Sequence, residues 1–175
     1  MLRKMINYDL NKIKTFIFDV DGVLSRQTIY LSLDGNPQRT TNVRDGYAIN
    51  LAMKNGFGIA IITGGNSPSV KVRYEALGVK HIYLKSKIKM LDFRDYIEKT
   101  GYKHEEIVYI GDDIPDYEVM QLVGLPVAPA DAAPEIKQIA KYISKKKGGE
   151  GVVRDVIEQV LKVQGKWLNG EAFGW

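Results

Sequence analysis

The chain has 175 residues, of which 45% are hydrophobic and 26% are charged. This length suits about one domain, and the composition is that of a globular protein with a buried core, so disorder and a fibrous repeat are excluded. Cysteine is absent and histidine occurs only twice, which excludes a disulfide framework, a cysteine-based zinc site and a cysteine nucleophile. Any catalysis must therefore use carboxylates, hydroxyls and lysines.

The charge and the N-terminal sequence bear on the expected partners. The formal net charge is +4, but the lysine-rich stretches lack the interleaved aromatic residues and docking motifs of nucleic-acid-binding proteins. The N-terminus has no apolar signal-peptide core, and no stretch approaches the roughly 18 apolar residues of a membrane span. We therefore expect a cytoplasmic protein that binds neither nucleic acid nor membrane.

Short apolar runs alternate with segments of helical period along the chain. The predicted strands are residues 15–19, 58–62, 81–84, 107–110, 125–128 and 142–144. The first predicted helix begins near residue 45 and stops at Gly56. The other predicted helices are residues 67–77, 88–100, 115–123 and 151–163. This alternation implies right-handed crossovers and a mostly parallel sheet covered on both faces. The expected fold is a single doubly wound, Rossmann-like α/β domain over residues 1–163.

One segment after the first strand departs from this alternation. Ile29, Leu31 and Leu33 alternate with polar residues, 34–37 has a turn-forming composition, and 38–43 is expected to return as a polar strand. The pattern predicts a β-hairpin inserted at about residues 28–43. A lone hairpin is marginally stable in water, so its apolar side chains need a cover. Either the same domain or another copy of the chain could supply that cover.

The C-terminal stretch, residues 164–175, is rich in glycine and has no clear period. Such a tail is expected to be disordered. Its three aromatic residues, Trp167, Phe173 and Trp175, favour the alternative that it docks onto a neighbouring chain.

The residues best suited to chemistry follow the predicted strands. Ligands of open α/β sheets collect where the strands end, so these residues should share one crevice. In chain order they are Asp19, Asp21, Thr63, Lys89, Asp112, Asp113 and Asp116. Each alone has an ordinary structural explanation, such as a helix cap or a turn. Their joint occurrence at the strand ends favours a functional site.

Crowded carboxylates favour Mg²⁺, which in proteins commonly acts beside a phosphate. A carboxylate can attack phosphorus and form an aspartyl phosphate when a metal and a lysine screen the two anions. Asp19 is the candidate nucleophile. Gly22 permits a backbone bend that would turn Asp21 back toward the site as the proton donor.

Taken together, these features resemble the motifs of the haloacid dehalogenase superfamily of phosphatases. The segments that carry the resemblance are 19–23, 63–64, Lys89, and 111–113 with Asp116. A closer similarity to the 3-deoxy-D-manno-octulosonate 8-phosphate phosphatases rests on 19–25, 42–47, Arg73, 111–113 and 148–154. The resemblance runs from about residue 15 to residue 165.

The resemblance implies a Mg²⁺-dependent phosphatase that forms an aspartyl phosphate and acts on a sugar-acid phosphate of lipopolysaccharide synthesis. Asp19 would be the nucleophile and Asp21 the general acid. The implied Mg²⁺ ligands are Asp19, Asp112 and the backbone carbonyl of Asp21.

The resemblance also implies how the substrate is held. Thr63 and Lys89 would bind phosphoryl oxygens, with Asp116 orienting Lys89. Asp113 would bond nearby backbone or metal-bound water. The residues implied to face the sugar acid are Asn42, Val43, Arg44, Asp45, Gly46 and Arg73.

The sequence departs from the family pattern where the substrate would bind. Arg26 and Gln27 replace Asp-Gly after the first motif, while Gly65 and Asn50 stand where arginines are usual. Two guanidinium groups suited to a sugar carboxylate are therefore missing. Arg26, or Lys166 from a neighbouring tail, is a candidate substitute. A related nonulosonate 9-phosphate is thus an alternative substrate.

No insertion of domain size follows the first or second strand, so the expected protein has no cap domain. In the family, tetramer formation closes such a site, with hairpins meeting and the C-terminal tail reaching a neighbour. The resemblance therefore implies a homo-oligomer, a tetramer.

Two other classes of function compete with this interpretation. A phosphoacceptor signalling domain would place its aspartate after the third strand, where residues 84–86 offer no carboxylate. A catalytically silent regulatory module would have no need of the acid at Asp21.

Overall fold

A six-stranded parallel sheet forms the centre of the computed structural model, which describes residues 6–174. The strands are β1 Thr15–Phe18, β2 Tyr30–Leu31, β3 Pro37–Gln38, β4 Gly58–Ile62, β5 His81–Tyr83, β6 Ile107–Ile110, β7 Leu125–Ala128 and β8 Tyr142–Ile143. The α-helices are α1 Val43–Lys54, α2 Pro68–Ala76, α3 Lys89–Thr100, α4 Tyr117–Leu122, α5 Pro134–Ile139 and α6 Val152–Val163. Within this range, no helix combines the length and apolar character needed to cross a membrane.

The sheet order is β5-β4-β1-β6-β7-β8, with each neighbouring pair parallel. Alternate side chains of β1 pack into two separate hydrophobic cores, one on each face of the sheet. Phe16 and Phe18 pack on the face covered by α1 and α6, whereas Ile17 packs on the face covered by α3, α4 and α5. Because β1 is buried on both faces, it reads as a continuous apolar run. The predicted doubly wound α/β fold is confirmed.

The hairpin is much shorter than its sequence pattern predicts. It consists of two residue pairs, Tyr30 with Gln38 and Leu31 with Pro37. The expected polar strand over 38–43 is wrong, since β3 ends at Gln38 and α1 begins at Val43. The Asn42 side chain explains this boundary, because its oxygen accepts hydrogen bonds from the first-turn backbone N–H groups of α1.

The apolar side chains of the hairpin lie in solvent in the single chain. Leu31 is 69% exposed and Leu33 fully exposed, while Ile29 is half-buried. The first of the two sequence-based alternatives was that the same domain covers these side chains. It does not cover Leu31 and Leu33. Over residues 6–174, this hairpin is the insertion between β1 and α1, and no cap domain is present.

The C-terminal segment folds back on α1. Trp167 is buried, and the Tyr47 hydroxyl donates a hydrogen bond of 2.6 Å to the backbone carbonyl of Ala172. The expectation of a disordered tail is therefore wrong for residues 164–174, which pack on their own chain. Phe173 is exposed, and Trp175 lies outside the described residues.

Some boundaries also differ from the sequence pattern. The short helix α5 was not predicted, because six residues carry too few helical repeats to be recognised. The segment expected to be helical from residue 115 is divided between a 3-10 turn, Ile114–Asp116, and α4. This turn places Asp116 beneath the end of β6.

Candidate active site

Three neighbouring strands deliver the predicted residues to one cavity. β1 lies between β4 and β6, and these strands are followed by Asp19, Thr63 and Asp112 respectively. Since all three strands are parallel, their carboxyl ends meet at the same edge of the sheet. The cavity there, which we call the strand-end cavity, has a volume of about 730 Å³. Its lining includes Asp19, Asp21, Thr63, Lys89, Asp112, Asp113 and Asp116.

A buried lysine links two of the carboxylates. Lys89 begins α3, and its Nζ lies 2.9 Å from Asp19 Oδ1 and 2.7 Å from Asp116 Oδ1. Burial opposes the charge of Lys89, but the two carboxylates outweigh it and raise its pKa. The lysine therefore stays protonated and can face an anion in the cavity.

Asp116 holds this lysine from beneath. Its Oδ1 also accepts a hydrogen bond of 2.7 Å from the Tyr109 hydroxyl, and its Oδ2 accepts one of 3.1 Å from the backbone N–H of Asp112. Both carboxylate oxygens are thus engaged within the protein. This arrangement matches the orienting role implied for Asp116 more closely than a role as metal ligand.

Three carboxylates of the cavity are buried close together. Oxygens of Asp19, Asp112 and Asp116 lie within 4.8 Å of one another. Burial, followed by the charge of Asp116, raises the pKa of Asp112 to about 7 and also raises that of Asp19. A divalent cation would remove this repulsion. Because Asp116 is already engaged, Asp19 and Asp112 are the residues best able to hold one.

Gly22 allows the first loop to approach Asp112. Its φ is +83°, and a Cβ at this position would lie 2.0 Å from Asp112 Oδ2. The predicted bend at Gly22 is therefore required both by backbone conformation and by space. It places Asp21 in the same cavity as Asp19.

The two remaining predicted residues of the cavity make local contacts. The Thr63 hydroxyl is buried and accepts a hydrogen bond of 3.1 Å from the N–H of Gly65. Asp113 accepts one of 2.9 Å from the N–H of Ile114, in line with the backbone contact expected for it.

Sequence reasoning missed two side chains that contact the acidic residues. Arg39 donates two hydrogen bonds to the Asp21 carboxylate, of 2.7 Å from Nε and 2.8 Å from Nη2. Gln27 donates one of 3.1 Å to Asp112. Neither carries a recognisable motif. Arg39 falls within the expected polar strand 38–43, and Gln27 stands out in the sequence only as a departure from the family pattern.

The residues implied to face the sugar acid do not line the strand-end cavity. Asn42, Val43 and Arg44 line a different cavity, at the junction of α1 and α6. Asp45 is buried, and its Oδ1 accepts a hydrogen bond of 2.7 Å from the N–H of Arg154 in the first turn of α6. Burial raises the pKa of Asp45 to about 6.

Gly46 of α1 and Arg73 of α2 lie next to each other. A Cβ at Gly46 would be 2.8 Å from Arg73 Nη2, so the glycine makes room for the guanidinium. Within one chain, Arg73 lines a small cavity separate from the other two. The substrate roles implied for residues 42–46 and Arg73 remain predictions.

Comparisons with known proteins identify the family of the chain. Residues 81–156 match the model of the haloacid dehalogenase-like hydrolase family. The 3-deoxy-D-manno-octulosonate 8-phosphate phosphatase of Escherichia coli K12 is 42% identical over 154 residues, which cover 88% of this chain and 82% of the relative.

Solved structures give the same result. The Yersinia pestis 3-deoxy-D-manno-octulosonate 8-phosphate phosphatase superposes with a TM-score of 0.88 at 37% identity, covering 91% of this chain and 86% of that one. The Moraxella catarrhalis enzyme, solved with a magnesium ion, a phosphate ion and a KDO molecule, gives 0.85 at 33% identity, covering 89% and 90%.

The fold and the strand-end carboxylates define a haloacid dehalogenase-like hydrolase. Within that class, the chain belongs to the 3-deoxy-D-manno-octulosonate 8-phosphate phosphatase family. Membership of this family makes it a phosphoric monoester hydrolase.

Proposed function

We propose that the chain hydrolyses 3-deoxy-D-manno-octulosonate 8-phosphate in a Mg²⁺-dependent reaction through an aspartyl phosphate on Asp19. The observation that carries this proposal is the position of Lys89, held 2.7 Å from Asp116 and 2.9 Å from Asp19 at the base of the cavity. A carboxylate beside a fixed cation can accept the approach of a second anion.

The side chains divide the reaction between them. An Asp19 oxygen attacks phosphorus, and the bond from phosphorus to the sugar oxygen breaks. Lys89 and Thr63 bind the phosphoryl oxygens. Asp21 leaves at least one of its two contacts with Arg39 and enters the step protonated, and it then gives this proton to the departing sugar oxygen. In the second step, Asp21 takes a proton from water as the water oxygen attacks the aspartyl phosphate. Inorganic phosphate leaves, and Asp19 is regenerated.

The residues present fit a bound Mg²⁺ ion. Asp19 and Asp112 are buried carboxylates whose raised pKa values reflect burial first and then the charge of Asp116. Together with the backbone carbonyl of Asp21, they are the groups that would hold it, and hard oxygen ligands of this kind suit Mg²⁺. When bound, Mg²⁺ neutralises charge on the phosphoryl group and lets an anionic nucleophile approach. The magnesium and phosphate named in the Moraxella catarrhalis structure support this assignment.

Relatives support the choice of substrate. The Escherichia coli relative is named for 3-deoxy-D-manno-octulosonate 8-phosphate, and this chain covers 82% of it. Residues 42–46 and Arg73 are proposed to contribute to sugar-acid binding, although they lie outside the strand-end cavity of the single chain. A nonulosonate 9-phosphate remains the alternative, because Gly65 and Asn50 replace usual arginines of the family pattern.

We also propose that the chain works as a homo-oligomer, a tetramer. The support is the hairpin, where Tyr30, Leu31 and Leu33 expose apolar surface beside an open site. Contact between hairpins of different copies would cover this surface.

The domain is proposed to span residues 1–163, with 164–175 as a tail.

A phosphate-release screen tests the proposed reaction. Purified protein is assayed with octulosonate 8-phosphate, a nonulosonate 9-phosphate and mannose 6-phosphate, each with Mg²⁺ and with a chelator. We expect Mg²⁺-dependent release that is fastest from octulosonate 8-phosphate. Faster release from the nonulosonate ester would favour the alternative substrate. Stable protein phosphorylation without release would instead indicate a phosphoacceptor.

A further inference from the structure

The side chain of Gln27 connects Asp112 to a turn on another wall of the strand-end cavity. Its Nε2 donates a hydrogen bond of 3.1 Å to Asp112 Oδ2 and a second one of 3.0 Å to the backbone carbonyl of Asp131. Asp112 follows β6 and Asp131 follows β7, so the amide spans the ends of two neighbouring strands. All three residues line the strand-end cavity.

These two contacts fix the orientation of the Gln27 amide. Nε2 carries two N–H groups, and each of them has an oxygen acceptor. A reversed amide would bring Oε1 against a carboxylate oxygen and a carbonyl oxygen, which would repel it. Gln27 therefore acts on Asp112 as a hydrogen-bond donor.

The turn that holds the other end of this bridge is itself fixed. Asp131 Oδ1 accepts a hydrogen bond of 3.0 Å from the N–H of Gly148. The N–H of Ala133 donates one of 2.8 Å to the backbone carbonyl of Asp112. Because the turn is bound both to a neighbouring loop and to the backbone of Asp112, Gln27 holds the Asp112 carboxylate against a rigid support.

The two oxygens of the Asp112 carboxylate are used unequally. Oδ2 accepts the hydrogen bond from Gln27, whereas no hydrogen bond from residues 6–174 reaches Oδ1. Carboxylates that bind metals are commonly oriented by a hydrogen bond of this kind from a second residue. Oδ1 is therefore the oxygen that Asp112 can offer to a cation.

The contact belongs to this chain in particular. Glycine is usual at position 27 in the family pattern, and a glycine has no side chain that could reach Asp112. Gln27 is exposed, so it adds little to the packing of the core. Its contribution at this position lies in its two hydrogen bonds.

We propose that Gln27 is a positioning residue that limits Asp112 to one oxygen toward a divalent cation and thereby favours Mg²⁺ over Ca²⁺. The inference rests on the proposed function, in which Asp19 and Asp112 hold Mg²⁺. Mg²⁺ requires a nearly octahedral set of ligands at about 2.0–2.1 Å, whereas the larger Ca²⁺ often takes both oxygens of one carboxylate. A carboxylate with one oxygen already held suits the smaller ion.

Calorimetric titration tests the proposal by measuring the dissociation constants of Mg²⁺ and Ca²⁺ directly. The proteins are the wild type and Gln27→Met, in which the side chain keeps a similar length but loses both donors. We expect the variant to bind Mg²⁺ about tenfold or more weakly, because an outer contact of a metal ligand is lost. Ca²⁺ binding should weaken less than about threefold, since a released carboxylate can offer both oxygens.

Two further variants serve as controls. Asp112→Asn should remove most of the binding of both ions, which places the measured binding in the strand-end cavity. Gln121→Ala, at an exposed position on α4 outside this cavity, should leave both dissociation constants unchanged. Melting of the metal-free proteins should differ by no more than a few degrees between the wild type and Gln27→Met, because the replaced side chain is exposed.

Two results would overturn the inference. One is an unchanged Mg²⁺ dissociation constant in Gln27→Met, and the other is an equal weakening of Mg²⁺ and Ca²⁺ binding, which a general distortion of the site would cause. Failure of the proposed function is a separate result, in which the wild type releases no phosphate from octulosonate 8-phosphate. Mg²⁺ binding that depends on both Asp112 and Gln27 would then still establish the positioning role.

Discussion

The strand-end cavity and the hairpin differ in how far one chain satisfies them. In the cavity, Lys89 and Asp116 are buried and make several short contacts within the same chain. In the hairpin, two residue pairs form the whole ladder, and Leu31 and Leu33 are exposed to solvent. The buried charges of the cavity therefore find their partners within one chain, whereas the apolar side chains of the hairpin do not.

This difference suggests that the cavity serves catalysis and that the hairpin serves association with another copy of the chain. Buried charges are tolerated only with fixed partners, so the catalytic groups must be arranged by the fold of a single chain. Exposed apolar side chains cost little in the folded chain but favour association with another surface. We therefore expect substitutions in the cavity to change turnover, and substitutions in the hairpin to change assembly.

The largest effect is expected from Asp19→Asn. The replacement is nearly isosteric but removes the nucleophilic carboxylate, so phosphate release should fall about a thousandfold or more. The melting temperature should remain within a few degrees of the wild type. Asp34→Asn, in the exposed turn of the hairpin, is the matched control and should retain full turnover. Near-normal activity of Asp19→Asn would disprove the nucleophile assignment.

Lys89→Met should impair both activity and stability. Loss of the cation leaves Asp19 and Asp116 unpaired in a buried site, which should lower the free energy of unfolding by about 3 kcal/mol. Phosphate release should fall about a hundredfold or more, because the phosphoryl contact is lost.

Chemical denaturation and steady-state kinetics measure the two effects of Lys89→Met. The control is Lys99→Met, which breaks an exposed pair with Asp95 within α3. That change should cost less than about 1 kcal/mol. Equal destabilisation by the two lysine substitutions would contradict a special role for the buried network.

Mg²⁺ should stabilise the chain more at pH 8 than at pH 6. Burial raises the pKa of Asp112 to about 7, above the value of about 4 in an unfolded chain. Between these values the folded, metal-free chain binds more protons, so its free energy of unfolding falls as pH rises. The ion requires ionised ligands, and its stabilisation therefore grows over the same range.

Melting with saturating Mg²⁺ or with a chelator measures this effect. At about a hundred times the dissociation constant we expect a rise of about 5–10 °C at pH 8. Asp112→Asn is the control and should abolish most of the increase. An equal increase at pH 6 and pH 8 would contradict the involvement of a carboxylate with a raised pKa.

The sequence predicted the cavity better than its surroundings. Asp19, Thr63 and Asp112 could be grouped in advance because each lies within two residues of the end of an apolar strand, and parallel strands bring their ends together. The contact between Arg39 and Asp21 could not be predicted in this way, because it depends on where a two-residue hairpin strand ends. Short elements are set by long-range contacts that periodicity does not record.

Residues near α1 show the same limit. Asn42 and Asp45 matched a family motif, and both make helix-terminus contacts in the single chain, Asn42 on α1 and Asp45 on α6. A motif identifies positions, but it does not distinguish a residue that touches the substrate from one that supports the backbone. The separate cavity lined by Asn42 could be seen only in three dimensions.

The smallest effect on the single chain, and the clearest effect on assembly, is expected from Leu31→Ser combined with Leu33→Ser. Both side chains are exposed, so the free energy of unfolding of the isolated chain should change by less than about 0.5 kcal/mol. If hairpins of different copies pack together, sedimentation at micromolar concentration should shift from an oligomer to a single chain. Val72→Ser, an exposed apolar position on α2, is the control and should leave assembly unchanged. A wild type that sediments as a single chain would remove the basis for oligomeric cover, and the open side of the cavity would then have to be closed by the substrate itself.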